Sequence, residues 1–188
     1  MLMKLKTLFV TAAAVLSGML YAESVSIPVL YRNPAEEVKP GQLQAFGFYE
    51  NQTRIVLAFQ ISGLQDLIAK PKSYLGFYAD VDDDLETGRF RKAHGWDFQI
   101  NMILTRKAVL SMIKWNGDKE KAQELSRRGC AVSASGDMLY VTIPKSSLAG
   151  LEFKPQFKIR MLQLRYNQRV DQQKPLGLFP EKFELPAE

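Results

Sequence analysis

Hydrophobic and polar residues alternate with a period of two along most of this chain. Across residues 54–62, Ile55, Leu57, Phe59 and Ile61 alternate with Val56, Ala58 and Gln60, which predicts a strand with one strongly apolar face. Leu75, Phe77, Ala79 and Val81 alternate in the same way with Gly76, Tyr78, Asp80 and Asp82. A third run sets Trp96, Phe98, Ile100, Met102 and Leu104 against Asp97, Gln99, Asn101 and Ile103, and this phase places Trp96 on the buried face with Phe98 and Ile100. Residues 108–115 run up to Asn116-Gly117, a tight-turn dipeptide, and Leu139, Val141 and Ile143 form a strand that Pro144 stops. Near the end, Phe157, Ile159 and Met161 share one phase, which then flips to Leu162, Leu164 and Tyr166. A one-residue slip turns every later side chain to the other face, so a β-bulge is predicted near Met161. Helical signal is confined to residues 119–128, read as a turn or two, and to residues 64–69, read as one.

Short strands separated by turn signals, with little helix, predict an all-β fold: an antiparallel β-sandwich of jelly-roll type. The opening residues bear on location. Lys4 and Lys6 precede an apolar run over 7–20 that ends in Tyr21-Ala22, the pattern of a secretory signal peptide cleaved near Ala22. The run is short for a membrane span, and no later segment is apolar enough for one. Residues 1–22 are therefore read as the leader and 23–188 as one β-sandwich domain, periplasmic or secreted. Cys130 is the only cysteine, so no internal disulfide is available and stability must come from the core. The thiol is expected to be a small buried side chain.

The chain carries +5, too mild a charge to suggest nucleic acid. Its distribution says more. Residues 80–97, DVDDDLETGRFRKAHGWD, hold six acids against three bases, net −3, so the rest carries +8. Asp80, Asp82 and Asp84 offer carboxylates at alternate positions, and Asp97 can close the set from the next strand. Calcium takes six to eight oxygens, often with loop carbonyls among them, so these four residues are the candidate calcium ligands. An EF-hand is excluded: counting from Asp80, Leu85 stands where glycine is required and Arg91 where the bidentate glutamate belongs. The alternative is a metal-free turn, in which aspartates accept backbone N–H bonds and Arg89, Arg91 or Lys92 offset the acids.

The stretch FYADVDDDLETGRFRKAHGWDFQINMIL resembles the central signature of family 9 carbohydrate-binding modules and of the wider DOMON-like sandwich group. Its elements are a strand ending in Asp-x-Asp (Asp80, Asp82), a Thr-Gly loop (Thr87, Gly88) and Gly-x-Asp opening the next strand (Gly95, Asp97). IKWNGD and SGDMLYVTIPKSSLAG are similar to later parts of the pattern, which spans roughly residues 52–152. The resemblance implies a non-catalytic binding module with a carbohydrate or cell-envelope ligand. Trp115, Tyr78 and Tyr140 are the candidate stacking residues.

Because some DOMON-like domains carry haem b, the resemblance also implies an alternative, a periplasmic haem-binding electron-transfer or partner-protein domain. Its axial ligand would be His94 or a methionine such as Met102, Met112, Met138 or Met161. The single histidine and the absence of a C-x-x-C-H motif argue against haem. Catalysis is not expected either. Any Ser-His-Asp or Cys-His arrangement would depend on His94, no serine lies in a G-x-S-x-G elbow, and histidines and cysteines at zinc spacing are lacking.

Overall fold

The computed structural model describes residues 27–35, 37–69, 73–90, 95–104, 109–115, 121–155 and 157–165. The leader (1–22), Arg91, Lys92, His94, the Asn116-Gly117 turn and the tail from residue 169 lie outside them.

The chain begins with β1 (Val29–Arg32), β2 (Leu43–Glu50), β3 (Arg54–Ile61) and a short helix α1 (Leu64–Ala69). Then follow β4 (Ser73–Asp80), β5 (Arg89–Phe90), β6 (Gly95–Trp96), β7 (Phe98–Leu104) and β8 (Val109–Trp115). The last elements are β9 (Ala122–Glu124), β10 (Ala131–Ser135), β11 (Met138–Pro144), a 3-10 turn (Lys145–Ser147) and β12 (Lys158–Arg165). Two five-stranded sheets result, in the orders β1-β2-β3-β11-β10 and β12-β4-β7-β8-β9, with β5-β6 as a small hairpin. All pairings are antiparallel. The protein is an all-β, sandwich-like domain.

The alternation explains the core. Ile55, Leu57, Phe59 and Ile61 of β3 are fully buried, as are Leu75, Phe77 and Ala79 of β4 and Phe98, Ile100 and Met102 of β7. Phe77 joins the two sheets, with its ring centroid 5.9 Å from Phe46, 5.8 Å from Phe59 and 6.5 Å from Phe98. The first contact is stacked and the other two are edge-on, and edge-on contacts suit the ring quadrupole. Between β4 and β12 the register shifts between Ile159 and Met161, the bulge that the phase flip predicts. Helix α1 also forms where residues 64–69 suggest one.

Three expectations are corrected. Residues 122–124 form a strand rather than helix, because β8 offers an open edge that β9 pairs with from Ile113 to Trp115, and Leu125 then turns inward, buried, with its N–H on Met112 O. Trp96 is buried as expected but not with Phe98 and Ile100: its indole packs on Tyr78, ring centroids 4.7 Å apart, outside the main core cluster. Cys130 is half-buried against the core rather than inside it.

Candidate metal centre

The acidic loop connects the ends of two core strands, and this position brings its carboxylates together. Asp80 ends β4 and is fully buried; Asp97 precedes β7 and is 5% exposed. The backbones are tied to each other, with Asp97 N–H donating to Ala79 O at 3.0 Å and Trp115 N–H to Asp97 O at 2.8 Å. Asp80, Asp82 and Asp97 each present a carboxylate oxygen within 4.8 Å of the other two.

The fourth predicted ligand does not join them. Asp84 is exposed; its carboxylate accepts the Glu86 N–H at 2.9 Å, and its own N–H points between Asp80 Oδ1 (3.2 Å) and Asp82 Oδ1 (3.1 Å). Its side chain closes a local turn while its backbone secures the other acids. Asp83 takes a left-handed φ of 56°, a conformation aspartate tolerates.

Thr87 does enter the cluster. Its hydroxyl lies 2.9 Å from Asp82 Oδ1, 2.9 Å from Asp84 O and 3.3 Å from Asp97 Oδ1. One hydroxyl proton can serve only one of these acceptors at a time. Thr87 was visible in the sequence as part of the Thr-Gly signature, with no ligand role attached. The glycine after it has a clear physical reason: Gly88 sits at φ +67°, and a β-carbon there would collide with the Trp96 backbone and come within 2.6 Å of Asp97 Oδ1. Any side chain would therefore push the loop off Asp97.

The electrostatics follow from this crowding. Burial raises the Asp97 carboxyl to about 6, and the neighbouring Asp82 and Asp80 charges add to the effect; hydrogen bonds from Val81 N–H to Oδ2 (2.9 Å) and from Thr87 oppose it. Carboxylates about 4 Å apart repel by about 1 kcal/mol in water and more where water is excluded, so a divalent cation would relieve the cluster. The donors are all oxygens, as calcium requires, and Asp80, Asp82 and Asp97 would hold it. Of the three cations expected to offset the loop, Arg91 and Lys92 lie outside the described residues. Lys158 pairs with Asp83, and Lys154 Nζ reaches Asp82 O at 3.3 Å. Arg89 instead lies over the Trp115 ring, 4.6 Å from its centroid.

The candidate stacking residues are not brought together. Tyr78 faces out from the second sheet and is buried under Trp96, while Tyr140 faces out from the first sheet and is buried with Ile27, Val56 and Ala58. Trp115 is half-buried, with Arg89 of the acidic stretch on its ring, and is the least buried of the three. Met102 and Met112 are fully buried in the core. Met138 lines a depression of about 10 Å³ on the outer face of the first sheet, room for about one water. The side chain of Met161 is outside the described residues, as is His94. Comparison of the chain with protein-family models, with curated proteins and with solved structures finds no match to any of them.

Proposed function

We propose that this protein is an exported, non-catalytic binding domain in which calcium at Asp80, Asp82 and Asp97 fixes the loop that borders its ligand site. The observation that carries the reading is the convergence of three carboxylates, two of them buried, on a connection whose ends are locked to core strands. Burying like charges side by side is costly, and a bound cation turns that cost into a site. Thr87 caps Asp82 when the metal is absent. Once bound, calcium supplies charge and coordination; the chain's own residues set where the loop sits.

The ligand is a carbohydrate or another cell-envelope component, received beside Trp115. Its indole is half-buried, braced by Arg89 and joined through its backbone to Asp97, so ordering the loop also orders the ring. Resemblance of residues 52–152 to family 9 carbohydrate-binding modules supports the same choice.

Calcium titration of the purified chain, followed by thermal melting, tests the metal. Binding to the folded state alone raises the melting temperature, and a curve that stays flat up to millimolar calcium removes it. Glycan-array binding lost in Trp115→Ala tests the ligand site; unchanged binding in that variant clears Trp115 of the role.

A further inference from the structure

Among the described strands the two five-stranded sheets leave four edges open: β1 and β10 in the first sheet, β12 and β9 in the second. An open edge is a row of backbone donors and acceptors that templates pairing with another strand, and natural sheets block it with charge, proline, bulges or brevity. Three of these edges are blocked. β1 follows Pro28, carries a register shift between Val29 and Tyr31, and ends in Arg32. β9 has three residues, follows Lys121 and ends in Glu124. β12 holds Lys158, Arg160 and Arg165 in sequence and is bulged.

β10 has none of these devices. Ala131-Val132-Ser133-Ala134-Ser135 is uncharged, lacks proline, and pairs with β11 in unbroken register from Ala131↔Thr142 to Ser135↔Met138. Four of its five residues are exposed, and Val132 packs against the core. We propose that β10 is the self-association edge of this protein, pairing antiparallel with β10 of a second copy about a two-fold axis at Ser133.

Charge and face both favour that occupant. Exposed Arg128 stands before β10, and Asp137, half-buried with Oδ1 accepting the Leu64 N–H, follows it, so an antiparallel pair sets the basic end of one copy against the acidic end of the other. Centring on Ser133 places Val132 opposite Ala134 of the second copy on the inner face. On the outer face it places Ser133 opposite Ser133, and Ala131 opposite Ser135. Apolar then meets apolar on the inner face, only small side chains meet on the outer face, and the two first sheets continue as one.

Sedimentation velocity on the purified chain tests the proposal. The wild-type chain sediments as a concentration-dependent dimer, Ser133→Lys and Ser133→Asp each sediment as monomers because like charges meet at the axis, and an equimolar mixture of the two variants regains the dimer. In a Cys130→Ser background, Ser133→Cys forms a covalent dimer on oxidation, a readout that does not depend on the charged variants folding. A wild-type chain that stays monomeric at about 1 mM, a concentration at which even very weak pairing is populated, overturns the proposal. So does a dimer that survives Ser133→Lys, a failure to cross-link through residue 133, or capture of an unrelated extended peptide by a chain that remains monomeric.

Discussion

Asp97→Asn separates the electrostatic cost of the acidic loop from its geometry. The amide oxygen can keep the Val81 N–H bond, made by Asp97 Oδ2 at 2.9 Å, while the amide N–H₂ faces Thr87 and Asp82. What disappears is a charge. In the folded protein Asp97 titrates at about 6, raised from 3.8. An acid with a raised folded-state value binds its proton more tightly folded than unfolded, so it favours folding below about pH 4. That contribution is lost as pH rises from about 4 to about 6. Each unit corresponds to about 1.4 kcal/mol, and solvent around the half-open loop screens part of it, which leaves about 1–3 kcal/mol. Without metal at pH 7.5, Asp97→Asn should therefore be as stable as wild type or more stable by up to that amount, about 2–4 °C in melting temperature per kcal/mol for a domain of this size. That difference should shrink toward zero as the pH falls to about 4, where Asp97 is protonated. With calcium the order reverses. Wild type gains about 2.7 kcal/mol when calcium is at 100 times its Kd, and the variant, one ligand short, gains much less. The assay is thermal melting of both proteins from pH 4 to 7.5, in chelator and in calcium, read as the difference between them so that other carboxylates cancel. A variant destabilised by more than about 1 kcal/mol at pH 7.5 in chelator would refute the crowding argument. Identical calcium shifts in the two proteins would refute Asp97 as a ligand.

Gly88→Ala should cost about 2–4 kcal/mol in urea unfolding, since it adds left-handed strain at φ +67° to a collision with the Trp96 backbone; a loss under about 0.5 kcal/mol would mean the loop has room to shift. Phe77→Ala should cost about 3–5 kcal/mol by the same measurement, because it opens a cavity among Phe46, Phe59 and Phe98. Near-neutrality there would place the ring outside the core. Thr87→Val removes the hydroxyl near Asp82 and Asp84 at nearly constant volume. In chelator it should lower stability by about 1–2 kcal/mol, and an unchanged melt would show that the turn does not depend on that bond.

Where two strands bury one face each, the residues alone state the answer. The runs 55–61, 75–81 and 98–104 read as strands because every second side chain must leave water, and the flip after Ile159 reads as a bulge because a slipped register would expose Leu162 and Leu164. The crowding of aspartates at 80–84 and the Thr-Gly and Gly-x-Asp pairs around them were equally open to inspection. Local pattern carried these because its cause is local: burial on one face, turn geometry, backbone sterics at a glycine.

Contacts between segments distant in sequence decided the rest. Whether residues 122–124 become strand or helix depends on the open edge of β8. Tyr78 and Tyr140 look like surface rings from their phase, yet Trp96 covers one and Ile27 packs with the other. Of four candidate carboxylates, Asp80, Asp82 and Asp97 converge because two of them sit at the locked ends of core strands, while the turn carries Asp84 outward. The sequence by itself determined which residues must be inside; only the tertiary structure decided which outward-facing groups meet, because that depends on distances between chain segments that no periodicity encodes.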